Sequence, residues 1–182
     1  MNYTGQFSNK SSAPYTSKVI IAQALADMGA RAVTITSVAR TKPADSRAIY
    51  RSVTGTQSQS GQTPTNHQWF LGSRAIRMHA ALLLIMYAMY REAHDKNPDA
   101  HGVAFALAYS NYKRVAGPDV LVSPERLVLL ISHGFGIGWR EILKGGASKF
   151  SGDNVKVIKC RKCKIGHLVE AHFLSYTCSE CE

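Results

Sequence analysis

Apolar residues recur at helical spacing along most of this chain, and strand-type residues gather only near its C-terminus. Val19, Ile20 and Leu25 are among the apolar positions of a helix predicted from Lys18 to Met28 and stopped by Gly29. In the middle, Trp69, Phe70, Ile76, Leu83, Tyr87 and Tyr90 keep helical spacing, with helix-forming Ala, Leu and Met between them. The most apolar run, Ala80 to Tyr90, is 11 residues long, with Arg74 and Arg77 before it and Arg91 after. A spanning helix needs about 20 apolar residues, so this run predicts a buried helix and no membrane partner. Pro98 separates it from a helix over Asp99 to Val115, which Gly117-Pro118 ends. A third helix opens at Ser123-Pro124-Glu125, with serine as N-cap and proline in the first turn. The aromatic and methionine positions read as core or partner interface rather than as a cofactor box.

The pattern divides the chain into a polar arm (1–16), short helices (17–53), a loop (54–66), a helical core and partner interface (67–149) and a cysteine module (150–182). The loop from Thr54 to Asn66 holds no apolar side chain larger than proline. The expected fold class is mainly α: a helical domain with a helix-turn-helix-like N-terminal part and a small C-terminal four-cysteine zinc ribbon.

Chemistry enters with the cysteines. Cys160, Cys163, Cys178 and Cys181 follow the pattern Cys-x2-Cys-x14-Cys-x2-Cys. Each pair can curl around a metal as a knuckle, and two knuckles supply the four thiolates that zinc prefers. Val155, Val157 and Ile158 lead into the module, Leu168, Val169, Phe173 and Tyr176 fill it, and Gly166 suits a turn. One zinc ion per chain is expected, in a structural role, because four thiolates leave no open position for water. His167 and His172 lie inside the module but outside a ligand set that is already complete. Met1 to Pro14 contains no apolar signal core, which points to a reducing cytoplasm where thiols serve metals.

Charge narrows the partner. Lys and Arg number 22 against 12 Asp and Glu, a formal net charge of +10, which favours a polyanion. Lys156, Lys159, Arg161, Lys162 and Lys164 crowd the first knuckle. One or two would offset the −2 charge of a four-thiolate zinc site; five suggest phosphate contact. Between Ala32 and Val53 the pattern resembles a helix-turn-helix. Val38 and Ala39 mark the helix crossing, Lys42-Pro43 the turn and Asp45 a cap, with Ile49 and Val53 as anchors. The second helix would expose Ser46, Arg47, Tyr50 and Arg51 to DNA, with Lys42 beside them; the same unit could equally be plain structure.

Leu127 to Ile131 followed by His133-Gly134-Phe135-Gly136-Ile137-Gly138 imitates a dinucleotide loop. Trp139 stands where the fingerprint needs its third glycine, and helices surround the segment, so the glycines are expected to end a helix and turn the chain.

Leu25-Ala-Asp-Met-Gly-Ala-Arg31, Ile49-Tyr-Arg51, a Gly/Pro-containing loop, His67-Gln-Trp-Phe-Leu71 and the four cysteines keep one order over most of residues 18–182. In that order they resemble the FlhC family, the zinc-containing subunits of FlhDC-type transcription activators. The stretch from Gly134 to Asn154 is longer than the family's link, and one residue follows Cys181, as in a divergent branch. The resemblance implies a non-enzymatic subunit that joins an FlhD-like partner, binds promoter double-stranded DNA and recruits RNA polymerase. Flagellar genes and conjugative-transfer genes both fit as targets. An RNA-binding zinc ribbon, or an enzyme braced by a structural zinc, is the alternative.

Overall fold

Six helices and one three-stranded antiparallel sheet make up the described residues, 12–134, 143, 148–150 and 153–182, of this computed structural model. The helices are α1 (Ser12–Asp27), α2 (Ala32–Ala39), α3 (Pro43–Thr54), α4 (Arg74–Ala93), α5 (Ala100–Ala116) and α6 (Pro124–Gly134). The strands are β1 (Ser148–Phe150), β2 (Asp153–Lys159) and β3 (Gly166–Glu170), in that spatial order.

Helix α1 starts earlier than the pattern predicts, inside the segment expected to be an arm. Two side-chain hydrogen bonds anchor its beginning, from Tyr15 to Asp45 and from Ser17 to Asp99. Its end is as expected. Gly29 adopts φ 92°, its amide bonds to Ala26, and the Ala30 amide reaches back to Leu25. This pairing satisfies the last carbonyls of the helix and favours glycine at the left-handed position.

Helices α2 and α3 flank a three-residue connection in which Arg40 takes φ 54°. The N-terminus of α2 has no local side-chain cap. Distant groups serve it instead: Ser58 accepts from the Ala32 amide at 2.9 Å, and Glu125 of α6 accepts from the Arg31 amide at 3.0 Å. A carboxylate at the positive end of a helix is favourable, and here it also ties α6 to the N-terminal helices. Thr54, expected in the loop, ends α3; residues 55–66 carry no regular element but close onto α2, with Arg31 reaching the carbonyls of Gly61 and Gln62.

The central aromatic pattern divides. Trp69 and Phe70 sit in a 3-10 turn, Gln68–Leu71, and α4 begins afresh after Ser73, whose hydroxyl accepts from the Ile76 amide. Phe70 is buried, and Arg126 of α6 stacks on Trp69 with its guanidinium carbon 3.8 Å from the ring centroid. Helix α5 starts and ends within a residue of the predicted bounds, and Ser123 and Pro124 open α6 as expected. Leu127 to Ile131 is helical, so it does not feed a phosphate loop; Phe135 to Trp139 lie outside the described residues.

One core unites the helices with the sheet. Ile21, Leu25, Ile35, Phe70, Leu84 and Phe105 are buried in the same cluster as Val155 of β2 and Leu168 of β3. Helix α5 crosses the N-terminal helices at Gly102, where a Cβ would lie 3.1 Å from Ile21 and 3.3 Å from the Val38 carbonyl oxygen. That close approach is why a glycine is tolerated inside the helix.

Tyr112 ties the end of α5 to the chain that follows. It is fully buried, and its hydroxyl accepts from the amides of Leu121 and Val122 at 3.0 and 3.1 Å while pairing with His79 Nδ1 at 2.8 Å. Tyr112→Phe leaves these groups without their partner. Chemical denaturation is expected to show a loss of about 1–3 kcal/mol; wild-type stability would show that water replaces the hydroxyl without cost.

Candidate metal centre and basic surfaces

The four cysteines are brought together by the ends of β2 and β3 and by the segment that returns beneath them. Cys160 continues β2 and bridges Tyr176, with the Arg161 amide donating to the Tyr176 carbonyl at 2.9 Å. The first knuckle turns through Lys164, at φ 63°, while its amide donates to the Cys160 carbonyl and the Cys160 amide to the Ile165 carbonyl. Lys164, not Gly166, therefore makes the left-handed turn, and Gly166 is the first residue of β3. The second knuckle closes with the amides of Cys181 and Glu182 donating to the Cys178 carbonyl.

All four sulfurs lie within 4.8 Å of one another, and Cys163 and Cys178 are 3.9 Å apart. Four thiolates about 2.3 Å from one zinc ion would stand roughly 3.8 Å apart, whereas a disulfide needs about 2.05 Å. The donor set thus fits a tetrahedral metal and is not two disulfides; all four thiols are free. It holds four soft ligands and no histidine or carboxylate among the described residues, which suits zinc over calcium or magnesium.

The thiols differ in acidity. Cys160 is pulled down to about 6, first by the Cys178 amide, 3.4 Å from its sulfur, against burial, and further by the amides of Cys163 and Lys162. Cys178 is lowered mainly by a hydrogen bond from the Arg74 guanidinium. Cys181 is pushed up to about 12, first by its bond to Cys178 and then by burial. Without a cation, four crowded sulfurs cannot all carry charge; a divalent metal removes that conflict.

Arg74 is the residue that sequence reasoning missed. It opens α4, contacts Cys178 and lies 3.8 Å from Glu180, while Arg77, one turn on, reaches Glu170 at 3.5 Å. The two arginines clamp the ribbon to the helical body. In the sequence they are visible only as charges flanking an apolar run, because Cys178 is far along the chain. His167 is fully buried beside Tyr176, with ring centroids 5.1 Å apart, and its pKa is lowered by burial and then by Arg74 and Arg77. His172 is exposed and stacks on Phe173. Neither belongs to the sulfur cluster.

The expected DNA-facing residues fall into two groups. Around the knuckle, Lys159, Arg161, Lys162 and Lys164 are exposed and Lys156 is half-buried. Lys164 spends its ammonium on the Arg161 carbonyl at 2.6 Å, so it fixes the knuckle as well as adding charge. On α3, Arg47 and Arg51 are exposed one turn apart, and Lys42 is exposed at the helix N-terminus. One of the expected α3 contacts is corrected. Ser46 is fully buried, its hydroxyl held 2.7 Å from both Thr36 and Thr41, so it faces the protein and cannot present itself to a groove. Tyr50 is half-buried and packs against the core. Asp45 does not cap α3 but accepts from Tyr15, and Val53, expected to anchor the helix, is 37% exposed. Serine and tyrosine are common in DNA interfaces and in packed hydroxyl clusters alike, and residue type alone does not separate the two uses.

No helix among the described residues is long and apolar enough to cross a membrane. The chain matches no protein-family model and no curated relative.

Cys178→Ser removes one sulfur from the cluster. Backbone amide exchange at Val155 and Leu168, buried where the ribbon enters the core, is expected to accelerate at least about tenfold, the equivalent of about 1.4 kcal/mol. Unchanged protection would show that the sheet stands without its sulfurs.

Proposed function

We propose that this chain is the zinc-braced, DNA-binding subunit of a heteromeric transcription activator of the FlhDC type. The observation that carries the reading is the convergence of Cys160, Cys163, Cys178 and Cys181, which sets exposed Lys159, Arg161 and Lys162 on one rigid tip. When bound, zinc supplies four directional bonds that lock both knuckles, with no position left for substrate. The net charge of +10 and the exposed Lys42, Arg47 and Arg51 on α3 support a duplex partner. The ordered resemblance to FlhC proteins supports the rest: an FlhD-like partner, promoter double-stranded DNA, recruitment of RNA polymerase, a cytoplasmic site of action, and flagellar or conjugative-transfer genes as targets.

In this reading the two basic groups do different work. Cations on the knuckle neutralise phosphates and set register, while Arg47 and Arg51 read base edges in the manner of a helix-turn-helix. The burial of Ser46 leaves Arg47 and Arg51 as the exposed basic side chains of α3, with half-buried Tyr50 beside them and Lys42 at the backbone.

Co-expression with an FlhD-like protein from the same source, followed by promoter binding across a salt series, tests this. Lys162→Ala is expected to weaken binding on all sequences and to reduce the salt slope by about 0.9. Arg47→Ala is expected to relax discrimination at one base position by about 1–3 kcal/mol. Failure to form a heteromer, or a wild-type complex that does not prefer promoter over random duplex, would refute the proposal.

A further inference from the structure

Glu125 ties the start of α6 to the start of α2 through one of its two oxygens. Its side chain is 10% exposed. Oε1 accepts from the Arg31 amide at 3.0 Å and from the Thr34 hydroxyl at 3.2 Å, and the Arg31 guanidinium stands 3.7 Å away. Oε2 has no hydrogen-bond partner among the described residues. A nine-tenths buried carboxylate that spends one oxygen keeps about two acceptor positions on the other.

Glu125 lines a cavity of 300 Å³ between α2, the segment 55–66 and α6. Val33, Pro64, Val128 and Leu129 supply apolar walls, and Glu125 is the one ionisable side chain of the lining among the described residues. Thr34 and Ser132 line the cavity as well, and both have committed their hydroxyl protons. Thr34 donates to Glu125, and Ser132 donates to the Leu129 carbonyl at 3.1 Å. Lone pairs are what these two hydroxyls have left, so the fixed polar atoms of the lining accept rather than donate.

A complementary ligand must therefore donate, carry positive charge and present apolar surface. A protonated primary amine has three N–H donors and no acceptor, and its bond to a carboxylate is charge-assisted. An anion would set its lone pairs against Oε2. Arg31 pairs with Oε1, donates to the carbonyls of Gly61 and Gln62 at 3.4 Å, and does not line the cavity. The net charge of +10 is felt there weakly, because screening sets in beyond about 8 Å at physiological ionic strength. At ~30 Å³ per water-sized unit, the space suits a ligand of about ten heavy atoms.

We infer that this cavity binds a small primary amine with an apolar body, its ammonium on Glu125 Oε2 and its body against Val33, Val128 and Leu129. Such a ligand touches α2, α6 and the segment 55–66 at once. It reinforces the Glu125 contact at the start of α2, the helix that packs on α3. The inference does not rest on the activator reading.

The full-length, metal-loaded, isotope-labelled chain is titrated with phenethylamine and, separately, with 2-phenylethanol, which carries a hydroxyl in place of the ammonium. Phenethylamine is expected to bind saturably, with a Kd of about 1 mM or tighter, and to shift the amides of Thr34, Thr65 and Val128. The alcohol should bind at least about tenfold more weakly. Glu125→Gln keeps an acceptor for Arg31 and Thr34 but removes the charge, and it should weaken amine binding at least about tenfold. Val33→Trp fills the cavity from a position that is 51% exposed, so it spares the core and should abolish saturable binding. Amide spectra report the fold of each variant, and Val33→Trp keeps the test decisive if Glu125→Gln loosens α2. Equal affinity for amine and alcohol, shifts that do not saturate, or wild-type amine binding by Val33→Trp would overturn the proposal. So would saturable binding that moves only amides around other carboxylates.

Discussion

Four thiolates within 4.8 Å of one another repel unless a cation joins them. A segment of the size of the last 30 residues buries too little surface to fold without a metal, disulfides or a neighbouring body. Its stability comes from two sources. Val155 and Leu168 enter the helical core, and the sulfurs close around their centre. Arg74 and Arg77 join these sources physically, since both belong to α4 and reach Glu180 and Glu170 of the ribbon at 3.8 and 3.5 Å. The metal site is therefore not an appendage on a linker. It shares a core and an ion-paired seam with the helices.

Local signals in the sequence were reliable where the physics is local. Gly29, Gly117 and the Ser123-Pro124 pair placed helix ends within a residue, because left-handed φ and serine capping depend on immediate neighbours. The cysteine spacing gave the sulfur cluster for the same reason: a two-residue knuckle is a local object. What was not legible depends on distant partners. The beginning of α1 is held by Asp45 and Asp99, the start of α2 by Ser58 and Glu125, and the ribbon by Arg74 and Arg77. Ser46 was misplaced onto the exposed face because its burial depends on Thr36 and Thr41, hydroxyls that make a polar residue comfortable inside. A helical period continued through Trp69 and Phe70 in the sequence, but Gly72 and Ser73 start a new helix there.

The charge of the molecule is organised rather than spread. Cations on the knuckle exceed what a −2 metal site requires, and Arg47 and Arg51 form a second group on a surface helix. In the proposed function a basic tip would contribute affinity, and a helix with two exposed arginines one turn apart would contribute selectivity.

Everything in this account begins with the cysteine centre, and metal analysis of freshly purified, reduced protein addresses it most directly. Elemental quantitation is expected to give one zinc per chain, released by thiol-modifying reagents together with the ribbon's tertiary signals. A reduced, folded chain containing no stoichiometric zinc or other thiophilic metal would contradict the account, because the basic tip would then have no brace.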